Sequence, residues 1–499
     1  MKLSFIFTDH AVLQREKPIM LWGEGNGVVS VELAGNKAES ECKNGNFEIV
    51  LPAMHAGGPY ELTVCDSEEK ITLHDIMIGE VWIAGGQSNM EQPVFATEGG
   101  FEAAARSNDD MLRLFTVPRR TSPGELKYSW HFESVYSADT PWQVSCEENV
   151  LHFSAVGYYF AASLRKKLGV AVGVISCNVG GTRAEAWLDE NKLEKSGIGD
   201  FRIEQAKDSV YWSDSEEYKR RYIKYRDEVS AVCQSVDALG VASELGPAGF
   251  ARADIIKWPP ETDFGPYDFN WAGVFYRNMV MRIAPIAVRG VIWYQGESNH
   301  SSPEHYLETF GLVTESWREL WQDKLPFLTV QIAPFKRAYS DDWAVIMEQQ
   351  ALAEKTLENV RMVTSSDIGD EDNIHPINKK PIGDRLFAAA MTECYGEPME
   401  YSGPVYSHSE TEGNVIRIYF DHAAGGLMCD GEVSGLFVCG SDGKYAAASG
   451  AIEGNTLLVL SPEIKAPVAA RMEFGCYPQV NLKNPYGITA APFRTDKNF

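Results

Sequence analysis

The sequence predicts an α/β protein in which a parallel-sheet domain lies between two β-rich segments. Five short apolar runs alternate with helix-length segments through the middle of the chain, a pattern typical of a parallel sheet covered by helices on both faces. Short strand patterns separated by turns occupy both ends, and this spacing is typical of β-sandwiches. We place the boundaries at residues 1–76, 77–400 and 401–499.

The amino-terminal segment alternates in strand fashion and has no long helical pattern. Its strand patterns are IMLWG, VVSVELAG, NFEIVLP, YELTVC and KITL, and turns such as GEGNG, KNGN and AGGP separate them. We predict a small β-sandwich over residues 1–76. Its role is interpreted as structural, because no cluster of aromatic residues marks a sugar platform.

The five apolar runs of the middle segment are predicted as strands of one parallel sheet. They are VWIA (81–84), VAVGVIS (170–176), VRGVIWY (288–294), PFLTVQIA (326–333) and VRMVTSS (360–366). The stretch FSAVGYYFAASLRKKLG is predicted as a helix between the first two runs. Ser302 and Pro303 form an N-cap and a first-turn proline for another helix.

A less regular insertion occupies about residues 188–270. It contains Tyr218, Tyr222 and Tyr225 at helical spacing, a stripe that we interpret as packing rather than binding. Because the insertion leaves the sheet after one strand and returns before the next, we expect it to shape the substrate cleft.

The carboxy-terminal segment, residues 401–499, returns to strand patterns. These are VIRIYFD, GLFVCG, TLLVLS and ARMEFG, and they follow the predicted helix GDRLFAAAMTECYG. They indicate a second β-domain, or the second half of the first one.

Charge and composition exclude several functional classes. The chain has 499 residues and a formal net charge of −25, so an extended polyanion such as a nucleic acid would be repelled. Its nine cysteines include no C-x-x-C pair, and His300 and His305 have no nearby cysteine, so neither a metal nor another cofactor is expected. No apolar run reaches membrane-spanning length, and MKLSFIFTDHAVLQ contains no signal-peptide pattern; a cytoplasmic location is therefore the expectation.

The most informative stretch is VWIAGGQSNMEQP, residues 81–93. The apolar run ends at two glycines, and Ser88 follows where the chain turns towards a helix. A serine at such a turn is held out at the carboxyl edge of a sheet, where α/β enzymes perform their chemistry. The alternative is a plain polar turn. The stretch is not a G-x-S-x-G elbow, because Gln87 precedes Ser88 and Met90 replaces the second glycine.

Two further strand ends supply groups that can stabilise negative charge. CNVGGTRAEAWL places Gly180 and Gly181 directly after the second run, where backbone amides can approach an oxyanion. YQGESN places Gln295 after the third run, and its side-chain amide can donate to the same oxygen. The alternatives are an ordinary β-to-α turn and a helix cap.

The segment DIGDEDNIHP, residues 367–376, supplies a candidate base. His375 stands three residues after Asp372, so that carboxylate can hold one imidazole nitrogen while the other accepts a proton from Ser88. Asp370, or no side chain at all, remains an alternative partner for the imidazole. His300 is a competing base, but no carboxylate stands at a comparable spacing from it.

Taken together, GQSNME, GGTRAEAW, WYQGESN and DIGDEDNIHPINKKPIGDRL resemble the sialate O-acetylesterase family of SGNH hydrolases, in which they occur in this order. DHAVLQREKPIMLWGEG and GGPYELTV near the amino terminus are also similar to that family. The resemblance implies a flavodoxin-like, three-layer SGNH domain over residues 77–400. It also implies removal of O-acetyl groups from sugars by a serine esterase mechanism without a cofactor.

The resemblance further implies roles for individual residues. Ser88 is the nucleophile, His375 the base, and the oxyanion hole consists of the Ser88 amide, a Gly180 or Gly181 amide and Gln295. Polar neighbours on the same turns are expected to contact the sugar: Gln87, Asn89, Arg183, Glu297 and Asn299. Arg183 and Arg277 are candidates for pairing a sialic acid carboxylate.

The substrate and the activity each have an alternative. An acetylxylan or acetylmannan esterase of the same superfamily would carry the same motifs. A non-catalytic carbohydrate-binding protein is a further alternative, although the joint presence of Ser88, Gln295 and His375 favours an enzyme. A lipase or peptidase fits less well, because neither a lid helix nor G-x-S-x-G is present.

Overall fold

The computed structural model of the chain describes residues 1–119, 140–198, 214–238, 265, 268–338 and 341–496. Within it, the protein divides into two compact units. Unit 1 comprises Met1–Trp293 and Thr309–Phe327, and unit 2 comprises Tyr294–Glu308 and Leu328–Phe499. The predicted α/β class is confirmed, because strands alternate with helices along the chain, and the strands pair in both parallel and antiparallel fashion.

Among the described residues, twelve strands precede residue 295. They are β1 (Lys2–Leu3), β2 (Val12–Gln14), β3 (Ile19–Glu24), β4 (Val28–Leu33), β5 (Asn36–Glu41), β6 (Asn46–Leu51), β7 (Gly57–Cys65), β8 (Lys70–Gly86), β9 (Asp109–Thr116), β10 (Gln143–Ser145), β11 (Val172–Asn178) and β12 (Gly290–Tyr294). The other twelve are β13 (Phe327–Val330), β14 (Val360–Val363), β15 (Val405–Glu412), β16 (Val415–Asp421), β17 (Met428–Cys429), β18 (Leu436–Cys439), β19 (Tyr445–Ala447), β20 (Ser449–Glu453), β21 (Thr456–Leu460), β22 (Ala469–Met472), β23 (Leu482–Lys483) and β24 (Phe493–Arg494).

Ten α-helices are described. They are α1 (Ser88–Glu91), α2 (Gly100–Ala104), α3 (Glu147–Leu151), α4 (Ala155–Leu168), α5 (Glu190–Ser196), α6 (Ser215–Ala238), α7 (Met281–Ile283), α8 (Tyr306–Trp321), α9 (Asp342–Thr356) and α10 (Lys380–Cys394). Each of these helices is too short or too polar to cross a bilayer.

The long strand β8 organises unit 1. Its first half pairs antiparallel with β7, and its second half pairs parallel with β11, which in turn pairs parallel with β9. The boundary predicted at residue 76 therefore falls inside a continuous strand. The reason is that β8 is shared: residues 70–78 hydrogen-bond to the amino-terminal hairpins, while residues 80–86 lie in the parallel sheet.

Other differences from the sequence prediction are local. β5 and β9 were not predicted, because NKAESE lacks a run of apolar residues and DDMLRLFT begins with two aspartates. The helix predicted from FSAVGYYFAASLRKKLG is confirmed as α4, where the Ser154 hydroxyl accepts from the Gly157 amide and Gly169 ends the helix in a left-handed conformation.

A buried ion cluster anchors β8 within unit 1. The Glu80 carboxylate is fully buried and accepts from Arg15 Nε at 2.5 Å and from Arg289 Nε at 2.8 Å. Burial acts to raise the pKa of Glu80, but the hydrogen bonds and charges of Arg289 and Arg15 outweigh it and leave the pKa below its usual value. Glu80 lies six residues before the end of β8.

The insertion between about residues 188 and 270 is described only in part. Its described helix α6 carries Tyr218 and Tyr222, which are both buried, and their ring centroids are 6.4 Å apart. This agrees with their interpretation as packing residues. The remaining stretches, 199–213 and most of 239–267, lie outside the described residues.

The strands after residue 400 pair with one another in unit 2. One four-stranded antiparallel sheet has the order β15-β16-β21-β20, and a second has the order β19-β18-β22-β24. A single apolar core draws on both sheets, with Ile418 and Leu457 from the first and Val438 and Met472 from the second. The β-rich character predicted for residues 401–499 is confirmed by these sheets.

Candidate active site

Ser88 lies at the turn between β8 and α1. Gly86 adopts a φ of +132°, a conformation that favours glycine, and the chain then begins α1 at Ser88. Parallel pairing places Gly86 opposite Asn178, and the Val179 amide donates to the Gly86 carbonyl at 3.1 Å. The turn that carries Ser88 and the glycine turn after β11 are therefore direct neighbours in unit 1, as the shared sheet edge requires.

Gly180 lies against Ser88. A Cβ added to Gly180 would lie 3.2 Å from the Ser88 Cβ and 3.0 Å from Glu91 Oε2, which is closer than side chains normally approach. The Gly180 N–H donates to Glu91 Oε2. This amide was predicted as an oxyanion donor, but in the structure its hydrogen is directed to a carboxylate three residues after Ser88.

Gly181 has a different environment. It is exposed and adopts a φ of +73°. Within the described part of the chain, neither its N–H nor the N–H of Ser88 donates a hydrogen bond. Asn270 supports this turn, because its side chain accepts from the Arg183 amide at 2.8 Å and donates to the Gly181 carbonyl at 3.3 Å.

The predicted sugar contacts in unit 1 are nearly fully buried. Gln87 and Asn89 flank Ser88 with 3% and 1% exposure, so they support the turn from inside. The Arg183 guanidinium is also buried and pairs with Glu185 Oε1 at 2.6 Å. Arg277 pairs with Glu190 at the surface. The two arginines proposed for a sialic acid carboxylate are thus each engaged by a glutamate.

Gln295 follows β12 and belongs to unit 2. Its side chain is fully buried, and its Nε2 donates to Asn299 Oδ1 at 2.7 Å. Its carbonyl accepts from the Tyr306 hydroxyl at 2.8 Å and from Gln350 Nε2 at 3.0 Å. Asn299, which was predicted to contact the sugar, is therefore a residue that orients Gln295.

A buried lysine behind this turn was not found from the sequence. Lys379 is 1% exposed, and its ammonium lies 5.7 Å from the centre of the Tyr294 ring. Burial lowers the pKa of Lys379 to about 7, while the negative charge of Glu297 acts in the opposite direction. Glu297 is also buried, and its charge acts on Lys379, so it does not lie at an exposed, sugar-facing surface.

No sequence signal separates Lys379 from its exposed neighbour Lys380. Lys379 is the N-cap of α10 and Lys380 is its first residue, and lysines at such positions are usually solvated. Only the packing of the chain selects which of the two is enclosed.

His375 is half-buried in a loop of unit 2 that two side chains shape. Asp370 Oδ1 accepts from the amides of Asp372 and Asn373 at 2.8 and 2.9 Å. Asn373 Oδ1 in turn accepts from the His375 amide at 2.9 Å. These are local side-chain-to-backbone turns, which fix the path of the loop.

The predicted Asp372–His375 contact is not formed. The Asp372 carboxylate is exposed and pairs with Arg337 Nη2 at 2.9 Å. Among the described residues, neither Asp372 nor Asp370 bonds to the imidazole. The reason is that the turn centred on Asp370 directs residue 372 outward to Arg337, so spacing along the sequence did not translate into contact.

The described residues contain no group of three or more histidine, cysteine or acidic side chains that could hold a metal ion. Ser88, Gly180 and Gly181 belong to unit 1, and Gln295, Asn299 and His375 belong to unit 2. In chemical terms, unit 1 provides the Ser88 hydroxyl and two amides, those of Ser88 and Gly181, that donate to no described atom. Unit 2 provides an oriented amide side chain and an imidazole.

Comparison with known proteins identifies a family. A model described as carbohydrate esterase, sialic acid-specific acetylesterase, matches residues 78–229 and 254–392. Human sialate O-acetylesterase is 24% identical over 441 residues, which cover 81% of this chain and 72% of that protein. The mouse sialate O-acetylesterase is 24% identical over 472 residues, covering 86% and 81%. The crystal structure of a carbohydrate acetylesterase from Xanthomonas citri is 30% identical, with a TM-score of 0.79 over all of both chains.

Proposed function

The chain belongs to the sialic acid-specific acetylesterase family of carbohydrate esterases, and from this premise we propose that it releases acetate from O-acetylated sialic acid by a serine mechanism centred on Ser88. The broader activity is that of a carboxylic ester hydrolase that removes O-acetyl groups from carbohydrates. The fold proposed for the matched region is the SGNH arrangement. The parallel pairing of β8, β9 and β11 supports it.

The observation that carries the proposal is the environment of Ser88. Its hydroxyl lies at the start of α1, its own N–H and that of Gly181 donate to no described atom, and Gly180 leaves space beside it. Backbone amides that have no other acceptor, such as those of Ser88 and Gly181 among the described residues, can donate to an oxygen that becomes negatively charged with little rearrangement.

In the proposed reaction, Ser88 Oγ attacks the acetyl carbonyl carbon and His375 takes the hydroxyl proton. The carbonyl oxygen becomes an oxyanion, which accepts from the amides of Ser88 and Gly181 and from Gln295 Nε2. The sugar hydroxyl leaves with the proton from His375. Water then attacks the acetyl-enzyme by the same steps in reverse order, and this releases acetate and restores Ser88.

The proposal does not use Asp372 as the partner of His375. Asp372 is engaged by Arg337, and the His375 amide is bonded to Asn373. We therefore propose Ser88 as the nucleophile and His375 as the base, without a contact from Asp372 to the imidazole.

The alternative substrate is a neutral acetylated polysaccharide such as acetyl-xylan or acetyl-mannan. One observation favours it: Arg183, a candidate partner for the sialic carboxylate, is buried and paired with Glu185. Initial rates of acetate release from O-acetylated sialic acid, acetyl-xylan and acetyl-mannan separate the two. A clear preference for either polysaccharide would replace the sialic acid assignment.

The mechanism is tested with Ser88→Ala. We expect loss of nearly all hydrolysis of 4-nitrophenyl acetate with an unchanged fold, because the half-buried hydroxyl makes no described hydrogen bond. Ser145→Ala is the matched control, since that hydroxyl is buried and bonds the Ser107 carbonyl away from the turn; this variant should keep its activity. Substantial activity in Ser88→Ala would remove Ser88 as the nucleophile.

A further inference from the structure

Glu91 links three parts of unit 1 that the sequence separates. It is the last residue of α1, three positions after Ser88. Its Oε1 pairs with Arg119 Nη2 at 2.5 Å, and its Oε2 accepts from the Gly180 N–H. Arg119 is itself 5% exposed, so the ion pair lies in the interior. The carboxylate thus connects the serine turn, the glycine turn and the segment after β9.

Each carboxylate oxygen has its own donor. Two donors therefore converge on one side chain, one on each oxygen, and a glutamine would replace one of these acceptors with an NH2 donor. A charge-assisted hydrogen bond from a backbone amide to a carboxylate is stronger than one between neutral groups. The peptide plane that precedes Gly180 is accordingly held in one orientation.

The hydrogen bond between Glu91 and Gly180 also affects which role is open to the next amide, that of Gly181. Because Glu91 uses the Gly180 N–H, the amide of the glycine turn that stays open is that of Gly181, which adopts φ +73° and donates to no described atom. The glycine turn lies directly against the serine, because a Cβ on Gly180 would lie only 3.2 Å from the Ser88 Cβ.

We propose that Glu91, anchored by Arg119, is a positioning residue that fixes the glycine turn so that the Gly181 amide, and not the Gly180 amide, serves the oxyanion hole. This inference rests on the proposed serine esterase function. It assigns Glu91 no contact with the substrate, and its effect is exerted through the backbone of residues 180–181.

Glu91→Ala should lower kcat for 4-nitrophenyl acetate by on the order of tenfold to a hundredfold, because small displacements of an oxyanion donor reduce rates by such factors. KM should change little, since the amide acts mainly in the transition state. Glu91→Gln keeps the side-chain volume and one acceptor oxygen, so its kcat should fall between those of the wild type and Glu91→Ala. It also provides a readout if the alanine variant does not fold.

Glu80→Gln is the matched control. It removes the charge from another buried arginine–glutamate cluster on the strand that leads to Ser88, but at a position six residues before the strand ends. Its kcat per folded molecule should equal that of the wild type. If it loses as much kcat as the Glu91 variants, the effect of Glu91 is merely structural and the proposal is overturned.

The role of Arg119 gives a second test. If Arg119 acts through Glu91, Arg119→Ala should lower kcat less than Glu91→Ala, and the double variant should be no slower than Glu91→Ala alone. Additive losses, or wild-type kcat in both Glu91 variants, would refute the positioning role. An inactive Ser88→Ala alongside fully active Glu91 variants would refute only this inference, whereas an active Ser88→Ala would remove the esterase mechanism beneath it.

Discussion

The contrast between Gly180 and Gly181 shows how one residue position decides a role. Both glycines follow the same strand, and both are equally suited to approach an oxyanion. Gly180 donates to Glu91, whereas Gly181 is exposed with an open amide. The choice between them depends on a carboxylate that lies 89 residues away along the chain.

The surroundings of Asp372 change the result expected for a substitution there. Asp372→Asn should leave kcat close to the wild-type value, because the carboxylate is exposed and pairs with Arg337 rather than with the imidazole. His375→Ala, made in parallel, should remove nearly all activity. A loss in Asp372→Asn as severe as that in His375→Ala, measured by steady-state kinetics, would restore Asp372 as the partner of the base.

Gln295 and Asn299 are predicted to act as a pair. Gln295→Ala should lower kcat by about a hundredfold or more with a smaller change in KM, as expected for an oxyanion donor. Asn299→Ala should cause a smaller loss, because it removes the acceptor that holds Gln295 Nε2. In the double variant the two effects should not add. A change confined to KM would instead indicate that Gln295 binds the substrate.

At the scale of elements, the parallel pairing of β8 and β11 positions the residues of the site in unit 1. The register that aligns Gly86 with Asn178 brings the turns after β8 and β11 to the same edge, and a shift of one residue would move Gly180 away from Ser88. Trp293 and Trp317 pack beneath Gly85, where a Cβ would lie 2.8 Å from the Trp293 ring. The glycine therefore allows the strand to pass over a large aromatic core.

A buried histidine joins two elements of unit 2. His422 follows β16, and its ring bonds Glu400 Oε1 at 2.7 Å and lies 3.5 Å from Glu354 Oε2 of α9. Tyr401 packs edge-on against it and donates to Glu354 at 2.6 Å. Burial acts to lower the pKa of His422, but the hydrogen bonds and charges of the two glutamates raise it to about 9.

The folded-state pKa of His422 is above its unfolded value. The contribution of protonated His422 to the stability of the fold should therefore be complete below about pH 6.5 and lost as the pH rises through about 9. The shift corresponds to about 3 kcal/mol in the free energy of unfolding. This contribution to the free energy of unfolding is measured by urea unfolding of the wild type and His422→Gln at several pH values between 6 and 10. The difference between the two proteins should shrink with rising pH, and a constant difference would contradict the assignment.

At the scale of the whole molecule, the net charge of −25 bears on the substrate. A sialic acid is an anion, so this excess of negative charge should slow its approach at low ionic strength, whereas a neutral ester should be little affected. Raising the salt concentration from about 0.01 to about 0.15 M shortens the Debye length from about 30 to about 8 Å.

We therefore expect kcat/KM for an O-acetylated sialic acid to increase over this salt range, while kcat/KM for 4-nitrophenyl acetate stays constant. Paired measurements in the same buffers test this. If kcat/KM for the sialic acid falls as salt is added, a local cationic site must outweigh the net charge, and a search for the residue that pairs with the carboxylate would follow.

The sequence alone determined the strand–turn units of this protein and the residues at their ends. The apolar runs before Ser88, Gly180 and Gln295 lie in β8, β11 and β12, and the stretch FSAVGYYFAASLRKKLG forms the predicted helix, α4. These features depend on residues within a few positions of one another. Strand propensity, glycine turns and caps act over that range, so they are visible without the fold.

Only the tertiary structure decided which side chains meet. Glu91 holds Gly180, Arg337 takes Asp372, Lys379 is enclosed beside Glu297, and β8 continues past the boundary predicted at residue 76. Each outcome depends on packing and hydrogen bonds between segments that are distant along the chain. Burial makes such pairings obligatory, because an enclosed charge or amide must find a partner, but local spacing does not identify that partner.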